Sequence, residues 1–203
     1  GYYAGRIQVG TDLYAIILSP KAQGENNSLQ LKIDNTGTTG TDSLNDGFAN
    51  TNAMNNASHP LAQWARTRTI NGYSDWYIAS RDEWEVVFRN LKPTTNTNAT
   101  GARLAGPSGT QFGSMGENAN SSPAGTAYTA SVPAQTAATI FKSGGTEALT
   151  LSSAYWTSTQ VFNVNDGWLE WYQVPTTGSQ NATFKSSPST TTIARVVRRI
   201  KIN

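Results

Sequence analysis

The chain has no cysteine among its 203 residues. That excludes disulfides and thiolate metal sites, so the fold rests on its core or on partner subunits. Histidine is nearly as scarce, since His59 stands alone. A Ser-His-Asp triad would have to run through it, and no Gly-Xaa-Ser-Xaa-Gly elbow accompanies it. Its place just before Pro60 reads as a helix entry instead. Charge is thin too: 14% of residues are charged, against roughly 25% in an average soluble protein. Thr, Ser, Asn, Gly and Ala fill the difference, a profile that suits extracellular or virion proteins rich in sheet and loop. The net charge of +2 supplies no global field for nucleic acid or anionic membrane. No apolar run reaches the roughly 18 residues of a membrane helix, so no membrane insertion is expected. Phosphate loops and dinucleotide fingerprints are missing, and no cofactor is expected. The chain opens on Gly1, as expected if an initiator Met has been removed or residues precede it.

What is present is organised. "YYAGRIQVG" and "DLYAIILSP" are β-rich runs separated by the turn cluster Gly10-Thr11-Asp12, a hairpin pattern. The continuous run Ile16, Ile17, Leu18 predicts a central second strand. "SLQLKI" alternates Leu29, Leu31 and Ile33 against Gln30 and Lys32, which predicts a half-buried strand. Asp46 or Asn45 can cap a helix from about Phe48 to Asn56. Pro60 suits the first turn of a second helix, with Leu61, Trp64 and Ala65 on one side. Ser80 followed by Glu83 is a capping box, and Trp84, Val87, Phe88 and Leu91 follow at helical spacing until Pro93. Residues 94–135 hold few large apolar side chains and read as a long tethered loop. "AQTAATIF" suggests a short helix, and "YWTSTQVF", "GWLEWYQV" and "NATFKS" suggest strands. The run "TIARVVRRIKI" predicts one terminal strand with Arg195, Arg199 and Lys201 on one face and Arg198 on the other. The order predicts an α+β fold with antiparallel sheet, two main helices and long loops, as a single domain over 1–203.

The chemistry search centres on carboxylates. Asp75, Asp82, Glu83 and Glu85 lie within eleven positions. A glycosidase needs two facing carboxylates. Here Glu83 belongs to the capping box, Asp82 suits the helix dipole, and Asp75 suits an Asx-type turn bond. Asp166 and Glu170 read as loop and strand-surface groups. "NVNDG" has oxygen ligands but no partner acid at a calcium-loop offset, so no metal is expected. No catalytic residue is assigned, and the chain reads as non-enzymatic. Binding is the better fit. Tyr155, Trp156, Phe162, Trp168, Trp171 and Tyr172 crowd into eighteen residues. Alternation sets Trp168 and Tyr172 opposite Trp171, so one face is core and the other is free for recognition. The candidate ligand contacts are Tyr128, Asn163, Asn165, Asp166, Trp168 and Tyr172.

Several stretches carry a family likeness: "DGFANTNAM", "HPLAQWARTRTINGYSDWYIASRDEWEVVFRNLKPTT", "YTASVPAQTAATIFKSGGTEAL", "YWTST" and "ARVVRRI". In this order they resemble a domain of tail-fibre and other virion proteins of tailed phages. They are also similar to the C-terminal domain of bacterial collagen-like surface proteins. The shared pattern is a Gly-Xaa-Xaa-Asp-Trp-Tyr turn, a Ser-Arg-Xaa-Glu helix start, a Tyr-Trp-Thr-Ser-Thr strand and a closing Arg strand, over about residues 1–202. The resemblance implies a C-type-lectin-like fold, related in outline to formylglycine-generating-type domains. The cysteine or copper-type chemistry of those relatives does not carry over to a chain without Cys. Ile78-Ala79 departs from the family's apolar-Pro pair. The resemblance makes Asp75, Trp76, Arg81, Glu83, Tyr155, Trp156, Arg195 and Arg198 scaffold and leaves ligand contact to variable loops. It implies a receptor-binding or adhesin module of a tail fibre or spike, contacting a host cell-surface glycan or protein. The alternative is a structural virion protein such as a head decoration or collar component, with 94–135 as an assembly arm. Either way the expected place is the virion, an extracellular particle. The expected partners are other virion proteins, a host receptor and further copies of the chain, because virion parts are symmetric.

Overall fold

The computed structural model describes residues 1–186 and 192–202. The chain opens with the antiparallel hairpin β1 (Tyr2–Val9) and β2 (Asp12–Leu18). A one-turn helix α1 (Lys21–Gly24) and a two-residue strand β3 (Glu25–Asn26) follow. Then come α2 (Gly47–Ala53), α3 (Pro60–Arg66) and α4 (Arg81–Leu91). The second half is mainly strand: β4 (Ala102–Ala105), β5 (Thr110–Ser114), β6 (Ala154–Asn163), β7 (Gly167–Gln173), β8 (Gln180–Thr183), β9 (Thr192–Arg195) and β10 (Val197–Lys201). "AQTAATIF" makes a single 3-10 turn at Thr139–Phe141.

The strands form a three-stranded sheet, β1-β2-β10, and a seven-stranded sheet, β3-β9-β6-β7-β8-β4-β5. The fold is α+β, as the sequence pattern predicts. The pairing is mixed: β4 with β8 and β6 with β9 run parallel, and the remaining pairs are antiparallel. β2 is central in its sheet, which its apolar run requires.

Helix α4 organises the interior. Ser80 Oγ accepts from Glu83 N, and Ser80 N donates back to Glu83 Oε2 at 2.7 Å, completing the capping box. The stripe Trp84, Val87, Phe88, Leu91 is buried as its spacing predicts. The other side of the helix is buried as well, including Asp82 and Glu85. The cover is the 94–135 segment. Asn118 Nδ2 donates to Glu85 Oε2 at 2.9 Å and to the Asp82 carbonyl at 2.8 Å. Asn120 Nδ2 reaches Asp82 Oδ2 at 2.8 Å, and Tyr128 Oη reaches Glu85 Oε1 at 3.1 Å. The helix acids thus do more than complement a dipole: they hydrogen-bond an otherwise polar segment onto the core.

Three expectations need correction. Residues 94–135 are not all loop, because they contain the β4–β5 hairpin at the edge of the large sheet. Its strands are only four and five residues long, ARLA and TQFGS, and each carries a single large apolar residue, Leu104 and Phe112, too little pattern to signal sheet. "SLQLKI" is not a strand. Leu31 is buried, but Ile33 is 58% exposed and Lys32 is buried. Lys32 Nζ turns inward to the Thr36 carbonyl at 2.8 Å and to Asp34 at 3.0 Å, which breaks the alternation. The terminal run is two strands in different sheets, parted at Val196. Val196 N donates to the Gly24 carbonyl and Ser19 N donates to the Val196 carbonyl, so this residue bridges the sheets. Arg195 is therefore buried, not solvated. It pairs with Glu147 and donates twice to the Ser19 carbonyl.

Candidate functional site: an aromatic groove at the end of the β6–β7 hairpin

Strand β6 runs on past its neighbour β9 while β7 stays paired to its end. β9 pairs with it at Ala154 and Tyr155, and its backbone then bonds to Ala79 through Ser158 N and to Thr41 through Gln160 N. Beyond Gln160, among the described residues, no strand covers its outer edge. β7 turns back against it in antiparallel register, which sets Phe162 opposite Trp168. Their ring centroids lie 5.1 Å apart at 59°. Phe162 is 54% exposed and Trp168 37%.

The hairpin tip is pinned. Asn163 Nδ2 donates to the Ala105 carbonyl at 2.9 Å and to Asp166 Oδ2 at 2.6 Å. Asp166 Oδ2 also accepts from Ser108 N at 3.2 Å. Gly167 closes the turn with φ +83°, a left-handed conformation that glycine adopts without strain. The fixed tip holds the two rings at the surface.

The rings form one wall of an open groove of about 410 Å³. Val161, Phe112 and Trp171 continue it, and Leu44, Asp42, Gln160 and Arg81 complete it. Phe112 meets the buried Trp171 edge-on at 5.8 Å. The Arg81 guanidinium lies 5.7 Å from the Trp171 ring and pairs with Asp82 at 2.9 Å. Asp42 is exposed and has no hydrogen-bond or ion-pair partner among the described residues.

Behind Trp168 lies a buried polar network. Glu170 and Lys185 face each other at 3.7 Å, both inside the protein. That distance is too long for a hydrogen bond, so both Glu170 oxygens lack one. Burial pushes the Glu170 carboxyl up to about 8 against the pull of Lys185, and burial pushes the Lys185 ammonium down. Lys185 Nζ donates to Gln160 Oε1 at 2.7 Å. Gln160 Nε2 donates to the Thr38 carbonyl, and Thr38 Oγ1 meets His59 Nε2 at 2.9 Å. His59 Nδ1 is held by Asn56 Oδ1 at 2.8 Å. Burial, then Lys32 and Lys185, push His59 down to about 4. His59 is thus a neutral link in a buried network as well as the residue before α3. Trp168 rests on Gly37, where an added Cβ would stand 2.6 Å from the indole.

The six sequence candidates separate. Trp168 lines the groove, and Asn165 and Asp166 sit on the adjoining turn. Tyr172 lies in a different depression, with Leu151, Ser152 and Ser153. Tyr128 and Asn163 are buried and so corrected: neither presents its side chain at the surface. Leu44, Asp42, Phe112 and Phe162 were missed, and Arg81 was assigned to scaffold alone. Phe162 had a readable signal, because counting outward from the Asn163–Gly167 turn pairs it with Trp168.

Asp75 binds Arg198 in a two-pronged pair at 2.7 and 2.9 Å, in place of a local Asx bond. Trp76 and Trp156 are buried in one cluster with α3. Tyr155 stacks on Trp84 at 4.6 Å and donates to Glu25 Oε2 at 2.5 Å. Among the described residues no group of three His, Asp or Glu stands close enough to share a metal ion. No helix among them is long and apolar enough to cross a membrane. No family model, curated protein or solved structure matches the chain.

Proposed function

We propose that this chain is a non-enzymatic, C-type-lectin-like module of a phage virion that recognises a host cell-surface glycan or protein. The observation that carries this reading is the exposed Phe162–Trp168 pair on a hairpin tip fixed by Asn163 and Asp166. Exposed large aromatics on rigid supports are effective anchors, because little side-chain entropy is lost on binding. The motifs behind the phage and collagen-like resemblance support the fold reading, since they occupy buried turns, caps and strand centres.

The structural-virion alternative uses 94–135 as an assembly arm. That segment is committed to its own chain through Asn118, Asn120 and Tyr128, which favours recognition over assembly. The test is adsorption of the purified protein to bacterial cells, read by fluorescence. Saturable binding that Trp168→Ala reduces at least tenfold is the expected result. Unsaturable binding, or binding indifferent to the groove, contradicts it.

A further inference from the structure

The groove's chemistry narrows the ligand, and this step rests on the recognition reading above. We propose that the groove takes a neutral or amino-sugar glycan and discriminates against acidic ones. Three observations lead there.

The first is shape. A volume of about 410 Å³ is at the small end of the roughly 300–1,000 Å³ of ligand sites. It suits one or two ring-sized units. A stable protein partner uses about 20–30 residues on each side, and this groove is lined by nine.

The second is the pairing of flat and polar groups. Phe162 and Trp168 give an apolar platform inclined at 59°. The C–H face of a pyranose packs on such rings while its hydroxyls point outward. Asp42 is the exposed polar group of the lining, whereas Gln160 is buried and its amide is bonded to Lys185 and Thr38. The Asp42 carboxylate can accept from hydroxyl or ammonium donors and has no partner among the described residues to give up first.

The third is charge. Three charged side chains bear on the groove. Arg81 is neutralised by Asp82 at 2.9 Å. Lys185, 5.9 Å from the Trp168 ring, is buried and faces Glu170. Among the described residues that line the groove, only Asp42 is charged without a charged partner, and its charge is negative. An acidic sugar seated on Trp168 would meet that carboxylate without a free cation in return.

The experiment uses the full chain on immobilised oligosaccharides of three classes: neutral hexoses, glucosamine oligomers and uronic- or sialic-acid-containing chains. Whole cells treated with periodate or with protease are tested in parallel. The expected result is binding to neutral or glucosamine oligomers at least tenfold tighter than to acidic ones. Trp168→Ala should lose at least tenfold. Asp42→Lys, at an exposed position without side-chain bonds among the described residues, should shift preference toward acidic chains while thermal unfolding stays unchanged. Preference for acidic chains in the unaltered protein overturns the inference, and so does an unchanged preference in Asp42→Lys. Cell binding abolished by protease and spared by periodate also overturns it, yet leaves the recognition reading standing. No binding to any cell or oligosaccharide overturns both.

Discussion

Glu170 and Lys185 stand 3.7 Å apart in the interior, and neither has water to fall back on. Burial holds the Glu170 carboxyl up at about 8 even beside Lys185, so removing Lys185 leaves a protonated buried carboxyl without its partner, which costs about 1–3 kcal/mol, whereas replacing both with apolar groups is often neutral. Lys185→Met is therefore expected to lower stability by about that amount, and Lys185→Met with Glu170→Met to recover most of it. Urea denaturation of the unaltered chain, Lys185→Met, Glu170→Met and the double variant measures this; additive losses would show that the pair is not coupled. His59 gives a pH signature. Its folded value of about 4 lies below the ordinary 6.5, so between those limits the unfolded chain binds a proton that the folded chain does not. Stability from this residue is full above about pH 6.5 and is lost as pH falls toward 4, by at most roughly 3 kcal/mol. His59→Gln should flatten that part of the stability curve. An unchanged slope would mean that His59 titrates normally. The groove face of Trp168 depends on this same network, through Lys185 and Gly37.

At the scale of elements, α4 is tied in by its first turn. Glu83 accepts from Ser80 N, from Gly47 N at 3.1 Å and from Tyr77 Oη at 2.8 Å. One carboxylate thus joins the start of α2, the Asp-Trp-Tyr turn and the start of α4. Ser80→Ala removes a single cap bond and is expected to cost about 1 kcal/mol. Glu83→Ala leaves three buried donors unmatched and is expected to cost more than about 3 kcal/mol. Thermal and urea unfolding rank the two, and equal losses would reduce Glu83 to an ordinary cap. This helix was readable because capping box, stripe and Pro93 agree. The terminal run was not, because alternation says nothing of a residue such as Val196 that changes sheets. "SLQLKI" failed for a related reason: its pattern fits a strand, but Lys32 finds better partners in Asp34 and Thr36 than a sheet face offers.

For the whole molecule, the segment after α4 is the main lesson. Its Ser, Thr, Asn and Gly suggest a free loop, yet Asn118, Asn120 and Tyr128 satisfy the acids of α4, and β4–β5 extends the large sheet. Residues 115–128 are expected to resist limited proteolysis under native conditions; rapid cutting there would contradict this packing. The same effect hid part of the candidate site. Trp168 was legible as an aromatic opposite a core tryptophan. Asp42, Leu44 and Phe112 come from remote segments, and a sequence carries no sign that they meet. Tyr128 and Asn163 misled because a polar neighbourhood reads as surface, while here polar groups fill the interior. Recognition through the Phe162–Trp168 groove is the central claim. The most direct measurement compares cell binding by the unaltered chain with that of Phe162→Ala/Trp168→Ala, with folding checked by circular dichroism. At least a tenfold loss of binding with the fold retained is the expected result; undiminished binding would contradict the claim.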